Sequence, residues 1–474
     1  MKSTRRQFIK NSAVAAGAVA LGCKDSDTEK HAVKSARKLQ RDDRRPNILY
    51  VLVDQERWPR HTRALRTPNR DRIKNHAVEF TNANCTYPLC SPSRATLMTG
   101  RYPHEAGILQ NCDPMGGNED MSMDVPTLGG VLSDNGYRTG YFGKWHLSGL
   151  TRKRTMPEQY GFDEAYLSNQ IVGIRADEYI AGRVGDWISQ EDSTKPWFAV
   201  FAPVNPHDIC YPGLRHFYTD TDTESYRTTA LPPNYSDVRC PDISVVKDNT
   251  VDWGSMTMRV RGPFDKSYFR MYIDFYCYLI EKVDSYLGIV LDSLERSGQW
   301  DNTIIIYTSD HGEMAGSHGL QNKGTTMYEE NMNVPLLISY PGRFNGYRQC
   351  GSLVSNIDVV PTITSLAGAS WPEKLHGRSL VSPTGIPTRV RNPYLFAEGG
   401  VSPVAYWRGV RTPEWKYWHY TGTGEEMLFN LIDDPLELEN RACSGKHGTI
   451  LRSLRGRVRE WRRRTADPVN TFLT

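Results

Sequence analysis

The sequence predicts an α/β fold, in which a doubly wound, mostly parallel sheet lies between helices. Residues 47–53 form a nearly continuous apolar run, which is typical of a strand buried on both faces of a parallel sheet. Similar runs recur at 197–202, 303–307 and 335–340. Helical patterns alternate with these runs, and such alternation favours a doubly wound sheet.

The helices and the C-terminal region are predicted from periodicity. Helical patterns cover residues 125–135, 268–296 and 357–366, and the first of these precedes a short segment at 138–142. After about residue 390 the aromatic-rich segments 406–411 and 414–418 indicate antiparallel strands, and 451–464 indicates a closing helix. We therefore expect a catalytic domain over 46–390 and a small α+β subdomain over 391–474.

Composition and charge exclude several protein classes. The chain has 474 residues, of which 39% are hydrophobic and 24% charged, as in a soluble globular enzyme. The formal net charge is +4, and four of the positive charges lie in the first 22 residues. The remainder is neutral overall, so charge gives no support for nucleic-acid binding.

The first 45 residues predict an export signal and a tether. Residues 1–23 contain Arg5-Arg6 followed by a short apolar stretch. This pattern resembles a signal peptide for the twin-arginine export machinery. The segment ends in a candidate lipoprotein box at Cys23. The alternative is an ordinary cleaved signal in which Cys23 is incidental. Residues 24–45 form a charged tether. We expect a periplasmic or cell-surface protein, with a candidate lipid anchor at Cys23.

Residues 90–94, Cys-Ser-Pro-Ser-Arg, form the most informative segment. Ser91 is a favourable N-cap, Pro92 suits a first helical position, and Gly100 is a plausible helix stop. This predicts Cys90 at the beginning of a short helix, where backbone N–H groups favour an anion. From these residues alone, a buried or merely reactive cysteine beside a capped helix is an equal alternative.

The longer segment 90–104, Cys-Ser-Pro-Ser-Arg-Ala-Thr-Leu-Met-Thr-Gly-Arg-Tyr-Pro-His, resembles the formylglycine sulfatases of the alkaline-phosphatase-like superfamily. The resemblance extends over about residues 46–440. It implies that a maturase oxidises Cys90 to formylglycine, whose hydrate is the nucleophile. A divalent cation would activate one hydroxyl of the hydrate, and the second hydroxyl would allow sulfate to be eliminated afterwards.

Two acidic sites predict a metal centre. Asp54 and Asp310 each follow an apolar strand, and parallel strands present such residues at one sheet edge. Their oxygen atoms suit a hard cation. The resemblance implies one divalent cation, calcium with manganese or magnesium as alternatives, held by Asp54, Gln55, Cys90, Asp310 and His311. Gln55 and His311 depart from the family's more frequent Asp and Asn, which leaves the ligand role of Gln55 open.

The resemblance also implies the other catalytic residues. Lys144, His207 and Lys323 would hold the sulfate oxygens, and Arg94 would stabilise the nucleophile. His207 or Lys323 would protonate the leaving alcohol, while His146 would act as the base in sulfate elimination. Without the resemblance, Lys144 and His146 would be interpreted as a surface lysine and a structural histidine.

The predicted function is therefore sulfate ester hydrolysis, with a sulfated carbohydrate as the substrate. Branches similar to choline sulfatases and phosphonate monoester hydrolases carry Gln and His at the positions of Gln55 and His311. Phosphonate monoester or phosphodiester hydrolysis is therefore the first alternative. The second is a non-catalytic polysaccharide-binding protein.

Overall fold

The computed structural model describes residues 45–59, 64–112, 120–148, 156–168, 172–190, 194–214, 216, 229–236, 251–253, 256–258, 265–388 and 393–469. The predicted export signal, Cys23 and the tether up to residue 44 lie outside the described residues. Within the described part, no helix is both long and apolar enough to cross a membrane.

An eight-stranded sheet forms the centre of the molecule. In spatial order its strands are β12 (Arg348–Cys350), β2 (Ala77–Phe80), β11 (Leu336–Ser339), β9 (Thr303–Ser309), β1 (Asn47–Val53), β6 (Trp197–Ala202), β4 (Arg138–Gly143) and β5 (Glu164–Leu167). Alternate side chains of β1 enter apolar clusters on opposite sides of the sheet, with Ile48, Tyr50 and Leu52 on one side and Leu49, Val51 and Val53 on the other. This explains the apolar run at this position.

Seven of the eight strands run in one direction. The exception is β11, which is antiparallel to both β9 and β2. The expectation that residues 335–340 form another parallel strand is therefore wrong. The N–H groups of Gly312 and Glu313 donate to the carbonyl oxygens of Asn331 and Glu330, so the segment after β9 returns to the same sheet edge. β11 therefore starts at that edge and runs back.

Helices cover both faces of this sheet. The helices of the described residues are α1 (Pro68–Lys74), α2 (Cys90–Thr99), α3 (Leu128–Asp134), α4 (Ala176–Ser189), α5 (Lys266–Arg296), α6 (Glu329–Met332), α7 (Val359–Ala367) and α8 (Gly448–Arg464). Residues of α1, α4 and α5 pack in one apolar cluster, and residues of α2, α3 and α7 pack in the other. Burial of these two clusters stabilises the predicted three-layer arrangement.

Three smaller sheets contain the other strands of the described residues. A four-stranded antiparallel sheet contains β14 (Leu395–Gly399), β15 (Trp407–Arg411), β16 (Trp415–Tyr420) and β17 (Glu426–Asn430). The others contain β3 (Ala83–Asn84), β10 (Asn333–Val334) and β13 (Val354–Ser355), and the hairpin β7 (Val251–Trp253) with β8 (Met256–Met258).

The four-stranded sheet and α8 form the predicted C-terminal α+β region. Val458 and Trp461 of α8 pack with Val410 and Tyr417 on one face of the sheet. On the other face, Trp418 packs in a cluster with residues of the 310–335 segment. The C-terminal region thus supports the segment that follows β9.

Candidate active site

The carboxyl ends of β1 and β9 bring two aspartates together. The strands are neighbouring and parallel, with Val53 opposite Ser309 in the register. The Asp310 N–H donates to the carbonyl oxygen of Val53 at 3.2 Å. Asp54 and Asp310 follow directly, and both are fully buried. Their predicted proximity is confirmed.

Helix α2 places Cys90 beside these aspartates. The helix begins at Cys90 itself, and Leu89, whose backbone is extended, occupies the N-cap position. The expectation of Ser91 as N-cap is wrong, because its hydroxyl instead accepts the N–H of Cys112 at 3.0 Å. Pro92 is tolerated in the first turn, where N–H groups lack helical partners. Gly100 ends the helix with a left-handed backbone, as predicted.

Four donor groups converge at the mouth of α2. The Cys90 Sγ lies 3.3 Å from His311 Nε2 and 3.6 Å from Asp54 Oδ1. His311 Nε2 lies 3.7 Å from Asp310 Oδ1 and 3.8 Å from Asp54 Oδ1. All four side chains are buried. The arrangement surrounds one point with two carboxylates, an imidazole and a thiol.

This donor set fits a divalent cation. Ligand oxygens at right angles around calcium, with bonds of 2.3–2.6 Å, lie about 3.3 Å or slightly more apart. Donor atoms of Asp54, Cys90, Asp310 and His311 all lie within 4.8 Å of one another. Two carboxylates favour calcium, magnesium or manganese over a soft metal.

Arg94 and Lys144 compensate the charge of the two carboxylates. Arg94 Nε contacts Asp310 Oδ2 at 2.9 Å, and its Nη2 contacts Asp54 Oδ2 at 3.0 Å. Lys144 Nζ lies 2.8 Å from the same Asp54 oxygen. Burial alone would raise the pKa of Asp54, but the cations, Lys144 first, hold it well below its usual range. Asp54 is therefore ionised at neutral pH.

The end of β4 fixes Lys144. Gly143 has a left-handed φ of 115°, and a Cβ at this position would lie 2.0 Å from the carbonyl oxygen of Ala202. Only glycine allows β4 to approach β6 this closely. The Lys144 N–H then donates to Ala202 at 2.7 Å, and its carbonyl accepts from Arg94 at 2.7 Å.

The unmodified Cys90 thiol is poorly suited to act as a nucleophile. Burial and the nearby Asp54 carboxylate raise the pKa of Cys90 to about 11. The thiol therefore stays protonated at neutral pH in this environment. Chemistry at residue 90 requires a change in the side chain or in its surroundings.

The two predicted catalytic histidines are buried and neutral. His146 follows β4 with a left-handed φ of 56°, and His207 opens the short helical turn His207–Cys210 after β6. Burial, reinforced by Lys144, holds the pKa of both imidazoles well below the ordinary value. A neutral imidazole can accept a proton, as the predicted role of His146 requires.

Gln55 lies between the Asp54–Cys90–Asp310–His311 cluster and Lys323. Its Oε1 accepts from Lys323 Nζ and lies 3.2 Å from Cys210 Sγ, while its Nε2 donates to Glu313 Oε2 at 2.6 Å. The side chain thus has protein partners at both ends, and its role as a metal ligand stays a prediction. Lys323 Nζ also lies 3.4 Å from Cys210 Sγ.

Sequence reasoning missed two residues of this site, Cys210 and Glu313. Cys210 follows His207 by three residues on the same helical turn. Glu313 follows Asp310 by three residues and is fully buried. Their spacing from predicted site residues was the available signal, but such spacing alone does not show that a side chain faces the site.

Comparison with known proteins places the chain in a family. A model of the family described as Sulfatase matches residues 46–369. A second model, described as N-sulphoglucosamine sulphohydrolase, C-terminal, matches residues 316–464.

Named relatives and a solved structure agree with this. The N-acetylglucosamine-6-O-sulfatase of Bacteroides thetaiotaomicron is 26% identical, and the match covers 84% of this chain and 83% of that protein. The Delta 4,5-hexuronate-2-O-sulfatase of the same species is 28% identical, with 84% of both chains covered. A structure solved in complex with its substrate D-glucosamine-2-N,6-O-disulfate superposes with a TM-score of 0.71 at 21% sequence identity. The superposition covers 90% of this chain and 99% of that one, and it shows a shared fold.

The doubly wound α/β fold, the converging site and the match of the Sulfatase model to more than half of the chain lead to one conclusion. The protein belongs to the sulfatase family and is a sulfuric ester hydrolase.

Proposed function

We propose that this enzyme removes sulfate from a sulfated carbohydrate, using formylglycine at position 90 beside one calcium ion. The observation that carries the proposal is the convergence of Cys90, Asp54, Asp310 and His311 on one buried point. The names of relatives that act on N-acetylglucosamine 6-O-sulfate and hexuronate 2-O-sulfate support a carbohydrate substrate.

Formylglycine would supply an oxygen nucleophile in place of the Cys90 thiol, whose pKa burial and the Asp54 carboxylate raise to about 11. Asp54, Asp310 and His311 would hold the cation. When bound, the cation would favour the ionised form of a hydroxyl at residue 90. Manganese and magnesium remain alternatives because the same oxygen donors accept them.

The cations around residue 90 would bind the substrate. Lys144 and Lys323 carry positive charge into a buried site, and His207 lies near both. We propose that these three residues hold the sulfate oxygens and balance the charge that develops as the S–O bond breaks. Arg94 contacts both aspartates, so it would fix the carboxylates that face residue 90, and its charge would stabilise the nucleophile there.

Two proton transfers complete the proposed cycle. Burial would lower the pKa of Lys323, but neighbouring groups, Cys210 first, raise it above the ordinary lysine value. Lys323 is therefore protonated and is the candidate donor to the leaving alcohol, with His207 as the alternative. Neutral His146 is the candidate base for sulfate release.

A substrate panel tests the proposal. Purified enzyme with calcium is assayed on sulfated mono- and disaccharides, an aryl sulfate and an aryl phosphonate, with Cys90→Ala as the matched control. We expect the highest kcat/KM on a sulfated saccharide and no turnover by the folded control. Faster phosphonate than sulfate turnover would support the phosphonate hydrolase alternative, and saccharide binding without turnover would support the binding-protein alternative.

We also propose that the twin-arginine machinery exports the folded enzyme to the periplasm or cell surface, with lipid attached at Cys23. Arg5→Lys with Arg6→Lys keeps the charge, so only a route that reads arginine itself should be blocked. Cell fractionation should find the double variant in the cytoplasm. Normal export would contradict the proposal.

A further inference from the structure

Glu313 is a buried carboxylate whose two oxygens have separate tasks. Its Oε1 accepts the backbone N–H groups of Ala315 at 3.0 Å and Asn322 at 2.8 Å, and the Tyr272 hydroxyl at 3.0 Å. Its Oε2 accepts the Gln55 side-chain amide at 2.6 Å. One oxygen therefore holds together the two ends of the 315–322 segment, which leads to Lys323. The other oxygen fixes the orientation of the Gln55 amide beside the Lys323 ammonium.

The carboxylate determines which way the Gln55 amide points. A carboxylate accepts hydrogen bonds and donates none, so the nitrogen of the amide must face Glu313. The amide oxygen then faces the opposite way, where it accepts from Lys323 Nζ. With the amide reversed, an NH₂ group would face the Lys323 ammonium and repel it.

From these contacts we infer that Glu313 is a positioning residue for sulfate ester hydrolysis, acting through Gln55 and Lys323. The inference rests on the proposed function, in which Lys323 holds sulfate. Glu313 fixes the backbone of Asn322, which precedes Lys323, and aligns the amide that accepts from its ammonium. The role does not require Glu313 to touch the substrate.

Exchanging the carboxylate and the amide between positions 313 and 55 tests this role. In Glu313→Gln the side-chain oxygen can keep the Oε1 contacts, but the new NH₂ group faces the NH₂ group of Gln55. Gln55 must then reverse, which presents its nitrogen to Lys323. We expect kcat/KM for the best sulfate ester to fall about 10–100-fold, the range measured when partners that orient site residues are removed. The inhibition constant of inorganic sulfate should weaken in parallel.

Gln55→Glu should also lose activity, because two carboxylates would then face each other across the 2.6 Å contact. The double variant Gln55→Glu with Glu313→Gln restores the pairing. The amide nitrogen introduced at position 313 donates to the carboxylate introduced at position 55, which still accepts from Lys323. We expect the double variant to recover most of the activity and sulfate binding that each single variant loses.

Tyr272→Phe is the matched control, since it removes a hydrogen bond to Oε1 and leaves Gln55 untouched. We expect lower thermal stability but wild-type kcat/KM. Equal activity losses in Tyr272→Phe and Glu313→Gln, or a double variant worse than both singles, would overturn the proposal. Loss of bound metal in Glu313→Gln, measured by elemental analysis, would assign the effect to the metal site and overturn it too.

The two hypotheses fail in different ways. A wild-type enzyme that hydrolyses no sulfate ester contradicts the proposed function. Binding of inorganic sulfate, measured by calorimetry on wild type and Glu313→Gln, still tests the positioning role in that case. Equal sulfate affinity in the two proteins would overturn it.

Discussion

Two buried clusters in this protein contain the same kinds of side chain but differ in how their oxygens are used. The active-site cluster contains Asp54, Asp310 and His311 with Cys90, and the subdomain cluster contains His104, Glu398 and Asp467. In the subdomain cluster the Arg408 guanidinium lies between the acids, 3.2 Å from Glu398 and 2.7 Å from Asp467, and His104 Nδ1 contacts Glu398 at 2.9 Å. Its acidic groups are already paired.

The active-site cluster has an arginine as well, but in a different position. Arg94 contacts the Oδ2 atom of each aspartate, which leaves the Oδ1 atoms towards Cys90 and His311. The separations around these atoms are 3.3–3.8 Å, longer than the direct ion pairs of the subdomain cluster. Acidic groups and a histidine do not by themselves identify a metal centre. A metal centre is distinguished by donor atoms that face one common point and do not contact one another directly.

The largest effect is expected from Asp310→Asn. The substitution removes a charged candidate ligand and one partner of Arg94, so bound metal and turnover should both fall to background. Elemental analysis and an aryl sulfate assay measure the two. Full metal occupancy in this variant would show that the active-site cluster is not the metal centre.

Glu398→Gln makes the corresponding change in the subdomain cluster and should act on stability. The substitution leaves Arg408 and a protonated His104 with less compensating negative charge in a buried region. Breaking a buried ion pair in this way typically lowers the free energy of unfolding by about 3–5 kcal/mol. Urea unfolding should show this loss, while kcat of the folded enzyme and its metal content stay at wild-type levels. A drop in metal content would mean that the two clusters are not functionally distinct.

A smaller, pH-dependent effect is expected from His104. Burial would lower the pKa of this imidazole, but the Glu398 carboxylate outweighs burial and raises it above the ordinary 6.5. The folded protein therefore holds the proton more tightly than the unfolded chain. This contribution to stability is complete below pH 6.5 and is lost as the pH rises through the folded-state pKa.

His104→Gln removes that titration. We expect the fall in the free energy of unfolding from pH 6 to pH 9 to be less steep in this variant than in wild type. Urea unfolding across this range measures the difference. Parallel pH profiles would contradict the assignment.

Much of the active site was predictable because strand ends and a helix start fix its main residues. Asp54, Asp310 and Cys90 lie at such positions, and the proximity of the two aspartates follows from the parallel pairing of the neighbouring strands β1 and β9. The direction of β11 was not predictable from its apolar run, since a buried strand looks alike in either direction. The contacts of Cys210 and Glu313 with Gln55 were not predictable either, because they depend on how the segments after β6 and β9 fold.

We propose that residue 90 carries the nucleophile only after its conversion to formylglycine. The most direct measurement is the mass of the peptide containing residue 90, from enzyme whose aryl sulfate turnover has been measured in the same preparation. We expect the CH₂SH group to be replaced by an aldehyde, and the specific activity to rise in proportion to the converted fraction. Full activity in a preparation where residue 90 is entirely unmodified cysteine would contradict it.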